Sequence, residues 1–94
     1  MRLKWSSIAR LQYVDQISYV GDRNLPAALN IKEKIKTAVD KLLTHPEIGR
    51  VGRCEGTREM VVSGTPIIIV YTIGQGEIFI VSVLHTVQDS TRRQ

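Results

Sequence analysis

One cysteine, Cys54, stands in a chain of 94 residues. That scarcity excludes an internal disulfide and any metal centre built on several thiolates. No apolar run approaches the ~20 residues a helix needs to cross a bilayer, and the opening MRLKWSSIAR lacks the apolar core of a secretory signal. A cytoplasmic location is expected, with no membrane partner. There is no internal repeat and no low-complexity segment. A large surplus of one charge is missing too: 13 Lys and Arg stand against 9 Asp and Glu, a formal net charge of +4. Such a balance suits an acidic partner, nucleic acid or protein, without choosing between them. The length fits one domain over residues 1–94 with a small core.

What the chain does have is periodicity, and it changes character midway. RLKW (2–5) reads as a short strand. Ser6 and Ser7 can cap a helix running to about Val20, with Leu11, Tyr13, Val14, Ile17 and Val20 on one broad arc. GDRN breaks it, and Asn24 caps a second helix with Pro26 in its first turn. There Ala28, Ile31, Ile35, Ala38, Val39 and Leu42 form one narrow stripe, and Lys32, Lys34, Lys36 and Lys41 read as a solvated face. THPEIG ends that helix, because Pro46 disfavours helix at His45. Residues 57–62, 66–73 and 77–84 are rich in β-branched side chains and are separated by SGT and GQG. They read as an antiparallel three-strand meander.

The fold class expected is therefore α+β in the order β-α-α-β-β-β, a helix hairpin packed on one face of a small antiparallel sheet. PIIIVYTI and IFIVSVL lack polar alternation, which implies burial on both faces. The hairpin covers one, and the C-terminal tail is a candidate for part of the other.

On these residues the sequence resembles the ParE branch of the RelE/ParE superfamily, the toxins of bacterial type II toxin-antitoxin pairs. The resemblance runs from Trp5 to about Gln88. It rests on Trp5, Ala9 and Tyr19, on NLPAA, HPEIGRVGR, GTREMVV and IIIVYTI, and on the closing VSVLH. It implies a growth-arresting toxin neutralised by a small cognate antitoxin, with DNA gyrase as target and binding rather than catalysis as the mechanism. No cofactor is implied. The alternatives are a RelE-like nuclease that cuts messenger RNA in the ribosome, and a non-toxic domain that only binds its antitoxin.

The nuclease chemistry needs a base near the attacking 2′-OH, cations for the charge growing on the phosphate, and an acid for the leaving oxygen. Compared with RelE-like sequences, this chain has Ile68 where an Arg precedes the VY pair. It keeps Arg58 but has Met60 at the second cationic position, and Thr86 and Val87 follow His85. If the turns centre near Gly64 and Gln75, Arg58 lies opposite Val70 and His85 opposite Thr65. The two would then be on the order of 15 Å apart.

The candidate site residues are accordingly Arg50, Arg53 and Arg58 for an acidic target or nucleic acid, and His85 as the catalytic group of a nuclease. Each has a plainer alternative. Glu47, Glu55 and Glu59 can pair with the arginines, and His85 can simply end a buried strand. His45 reads as a helix cap, Cys54 as a spectator thiol, and Gly56 and Gly64 as turn residues. The antitoxin-binding surface is not legible, and no metal site is expected.

Overall fold

The computed structural model describes residues 1–86. Strand β1 (Arg2–Trp5) leads into α1 (Ser7–Gly21) and α2 (Leu25–Thr44), followed by a 3-10 turn at Pro46–Ile48. Strands β2 (Arg50–Val51), β3 (Arg58–Val61), β4 (Ile67–Gly74) and β5 (Glu77–His85) complete a five-stranded sheet in the order β1-β5-β4-β3-β2. The expected α+β class and meander are present, but the sheet is mixed. β1 runs parallel to β5, pairing Arg2 with Glu77 and Trp5 with Ile80, and the two-residue β2 pairs antiparallel with β3.

Both helix starts follow local chemistry. Ser6 Oγ accepts from the Ala9 N–H and Asn24 Oδ1 from the Ala27 N–H, each satisfying a donor that the first turn leaves open. Ile35, Val39 and Leu42 of α2 are buried in one cluster with Ile67, Ile69, Tyr71, Ile78, Ile80 and Val83 of the sheet, and Ala28 is buried near Gly21 at the end of α1. The stripe expected on α2 is thus its buried face. On α1 the expected arc is rotated: Leu11 and Val14 are exposed at 70% and 57%, while Ala9 is fully buried and Tyr13 and Ile17 pack on the core. The cause is that α1 is apolar on both sides, so periodicity does not fix which side turns inward. Trp5 meets Tyr13 edge to face, with ring centroids 5.5 Å apart, and this contact helps set the choice.

α1 also completes the sheet. β1 stops at Trp5, opposite Ile80, so beyond that point β5 has no strand on that side among the described residues. Ser6 donates from Oγ to the Val81 carbonyl, Gln12 Oε1 accepts from the Val83 N–H, and Gln16 Nε2 donates to the Val83 carbonyl. These side chains occupy an edge that would otherwise offer open backbone groups.

Alternation along β4 puts Ile68 and Val70 on the face opposite the core cluster, and both are buried. Cover by the tail, and the Val87 position, fall outside the described residues. The register differs from the expected one. Arg58 pairs with Tyr71 and His85 with Ile67, because both turns centre half a residue later and a bulge shifts the β4–β5 ladder by one more residue between Val70 and Tyr71.

Candidate functional site

The three candidate arginines converge on one corner of the sheet but leave it on different faces. Arg58 lies opposite Tyr71, so both project toward the helix side. Its Nη1 donates to the carbonyls of Gly49 at 2.7 Å and Glu47 at 3.3 Å. Tyr71 is fully buried, and its hydroxyl accepts from the Gly49 N–H at 2.9 Å and donates to the Pro46 carbonyl at 2.7 Å. Together Arg58 and Tyr71 pin the turn that follows α2. Burial raises the Tyr71 pKa above its usual 10.0, so the hydroxyl remains a donor. Gly49 is required here by space: a Cβ would sit 2.6 Å from the Tyr71 hydroxyl and 2.9 Å from the Glu59 carbonyl oxygen.

Arg50 and Arg53 gather on the other face around Glu59, which is 3% exposed. Arg53 Nε donates to Glu59 Oε2 at 2.9 Å and its Nη2 to Oε1 at 3.1 Å, while Arg50 Nη2 reaches Oε1 at 3.2 Å. The Arg53 backbone N–H also donates to Oε2. The Arg53 hydrogen bonds, aided by Arg50, outweigh burial and hold the Glu59 carboxyl at about 2 instead of 4.5. Arg50 keeps 60% of its side-chain surface and Arg53 keeps 35%, so the pair presents oriented guanidinium surface above a buried carboxylate.

His85 stands apart from this corner. Tyr71, opposite Arg58, and Ile67, opposite His85, are four steps apart on β4, about 13 Å along the strand. His85 is half-buried at the mouth of a cavity of about 340 Å³ that it lines with Asp15, Gln16, Tyr19, Pro66 and Ile67. Gln16 Oε1 is buried there without a hydrogen-bond partner.

Sequence reasoning brought the three arginines together but missed the parts that hold them. Gly49 and Tyr71, 22 residues apart, meet in the clamp, and Gln12 and Gln16 looked like ordinary polar helix residues. The signal available for Glu59 was its position: a lone carboxylate inside a strand pattern, directly after Arg58 and six residues after Arg53. His45 is the C-cap of α2, Cys54 is exposed, and Gly56 and Gly64 take φ of +82° and +79° as turn residues. Among the described residues no cluster of His, Cys, Asp or Glu could hold a metal ion, and no helix is long and apolar enough to span a membrane.

Residues 3–90 match the family model described as the ParE toxin of the type II toxin-antitoxin system parDE. A curated relative from Sinorhizobium fredii, described as "Putative toxin Y4kP", is 36% identical over 88 residues, covering 93% of this chain and 90% of that protein. Among solved structures, one titled as the chromosomal ParDE toxin-antitoxin system from P. aeruginosa superposes with a TM-score of 0.79 at 22% identity. It covers 90% of this chain and 95% of its own. A YoeB/ParE toxin from Agrobacterium tumefaciens superposes with a TM-score of 0.58 at 16% identity, over 90% and 98% of the two chains. At these identities the two structures speak for the fold.

Proposed function

The chain belongs to the ParE toxin family of type II toxin-antitoxin systems, and from that premise we propose that it arrests growth by binding DNA gyrase, without catalysing a reaction, until a small cognate antitoxin neutralises it. The gyrase assignment is what the family resemblance implies. The observation that carries the absence of catalysis is the disposition of the cations. Arg50 and Arg53 are engaged with Glu59, Arg58 is engaged with main-chain carbonyls, and His85 lies at the other end of the middle strand. Cleavage of a phosphodiester by an adjacent 2′-OH needs cation, base and acid around one phosphate. Here the histidine and the arginine corner are too far apart to share one. Binding needs no such convergence: the exposed surface of Arg50 and Arg53, held in place by Glu59, is a preformed cationic patch for an acidic target surface.

One feature favours the messenger-RNA nuclease as second reading: His85, Asp15 and Tyr19 share the same cavity, and a histidine among polar groups is the ordinary material of acid-base catalysis. The two readings separate on induction of the protein. Gyrase-linked DNA breaks with a DNA-damage response, and intact messages, are expected. Codon-phased cleavage of translated messages would establish the nuclease instead, and harmless induction in several bacterial hosts would leave only an antitoxin-binding role. Purified protein mixed with gyrase and supercoiled plasmid should trap the cleaved enzyme-DNA complex.

A further inference from the structure

The side chains that stand in for a strand along the edge of β5 leave one buried acceptor unused. Gln16 Nε2 donates to the Val83 carbonyl at 2.8 Å, and the Val83 N–H is taken by Gln12 Oε1 at 2.7 Å. Turning the Gln16 amide over would set its oxygen against the Val83 carbonyl, so that bond fixes its orientation. Oε1 is therefore an acceptor, buried and without a hydrogen-bond partner. An unpaired buried acceptor destabilises a fold, and proteins seldom keep one that serves nothing.

Gln16 belongs to the wall of the cavity of about 340 Å³ whose mouth holds His85. One stretch of α1 supplies most of its polar lining: Asp15 and Tyr19 are four residues apart, as are Gln16 and Val20, so the two pairs lie side by side along the helix. Ile31 of α2 and Ile67 of β4 add an apolar wall. At about 30 Å³ for each water in the liquid, the space is about ten times what a single bridging water needs. It falls at the lower end of the roughly 300–1,000 Å³ usual for small-molecule sites. Its fixed charge is of one sign. Asp15 contributes a carboxylate, and no Lys or Arg among the described residues lines the cavity. Arg23, one helical turn beyond Tyr19, is already engaged: its guanidinium lies 3.7 Å from the centre of the Tyr19 ring, and its Nη1 donates to the Tyr19 carbonyl.

We propose that this cavity binds a small amine, whose N–H donors engage Asp15 and Gln16 Oε1 and whose apolar body rests on Ile31 and Ile67. An ammonium group has three donors and no acceptor, which matches a carboxylate beside an unpaired amide oxygen. A neutral alcohol brings one donor and leaves Asp15 without a counter-charge. A phosphate brings no hydrogen for Oε1 and meets Asp15 as a like charge. A bare inorganic cation would leave the apolar wall uncovered. The same ammonium can come from a free amine or from the lysine side chain of a protein, and the proposal holds whatever target the toxin binds.

The intact protein is titrated with three probes of similar shape, benzylamine, benzyl alcohol and phenyl phosphate, and the backbone amide signals of Gln16, Val20, Ile31 and Ile67 are followed by NMR. Benzylamine is expected to saturate these shifts with a Kd on the order of 1 mM, about tenfold tighter than benzyl alcohol, while phenyl phosphate leaves them unchanged. Asp15→Asn, a shape-preserving change at an exposed position, should weaken benzylamine about tenfold at low salt and less at high salt, and leave benzyl alcohol as it was. Gln16→Leu should weaken both, with thermal melts as the folding control. If that variant does not fold, Asp15→Asn and the probe series still decide. Nα-acetyl-lysine amide separates the two sources: weaker binding than benzylamine supports a free amine, and tighter binding supports the ammonium site with a protein's lysine side chain as its occupant. Three results overturn the proposal. Equal binding of benzylamine and benzyl alcohol that Asp15→Asn does not alter would reduce the site to an apolar cavity. Shifts that never saturate would leave Gln16 Oε1 to ordered water. A preference for phenyl phosphate would give the cavity to the nuclease reading.

Discussion

Replacing Glu59 by glutamine keeps the shape of the buried side chain and removes its charge, so the variant isolates what the carboxylate contributes. In the folded protein Arg53 and Arg50 hold the carboxyl at about 2, against 4.5 for the free group. At about 1.4 kcal/mol for each tenfold change in acidity, that difference couples at most about 3–4 kcal/mol of stability to ionisation. The side chains of Arg50 and Arg53 retain 60% and 35% of their surface, and solvent screening reduces the figure to about 2 kcal/mol. Because the folded pKa is the lower one, this stability is fully present above about pH 4.5 and disappears as the pH falls toward about 2. Urea denaturation of both proteins should be followed at pH 7, 5, 4, 3 and about 2.5. At pH 7 the Glu59→Gln protein should be less stable by about 2 kcal/mol, roughly 8–16 °C in Tm for a domain of this size. The gap should close as the pH falls through that window. Two pH profiles that stay parallel would show that the ion pairs do not couple to folding, and would refute the picture of a buried carboxylate orienting the two guanidinium groups.

The clamp on the turn after α2 gives a second test. Tyr71→Phe strands the Gly49 N–H and the Pro46 carbonyl and should cost about 1–3 kcal/mol. Gly49→Ala should cost about 2 kcal/mol from the clash with that hydroxyl, and a double-mutant cycle should show partial relief when both changes are combined. Gln12→Ala or Gln16→Ala should each lose about 1 kcal/mol, and Gln12→Ala should speed amide exchange at Val83, whose N–H it leaves open. In a dose-matched growth assay with thermal melts as a folding control, His85→Gln should keep most toxicity and Arg58→Ala should lose more. If His85 were an acid or base catalyst, the histidine change would instead cost about a hundredfold or more in rate, and a folded but harmless His85→Gln protein beside an active Arg58→Ala protein would reverse the ordering.

By itself the sequence determined both helices, the first strand and the three-strand meander, in their order, but not the 3-10 turn or the two-residue β2. Ser6 and Asn24 start helices because their side chains satisfy first-turn donors, and the α2 stripe is buried because it is the one continuous apolar row along that helix. Gly56 and Gly64 turn the chain at positive φ, where other residues are strained. The sequence also assembled the arginines of HPEIGRVGR and GTRE into one neighbourhood, since a short hairpin keeps residues 50–59 close whatever the rest of the fold does. Tertiary structure decided matters that depend on contacts between distant residues. α1 carries apolar residues all round, so only packing against Trp5 and β5 chose Ala9 over Leu11 as the inward side. The centre of the second turn and one bulge at Val70/Tyr71 together fixed where His85 falls along β4, and no local pattern announces a bulge. The parallel pairing of β1 joins residues 75 apart in the chain. The division of the arginines between the two faces followed from register, because side chains alternate with a period of two and neighbouring residues leave opposite sides of the sheet.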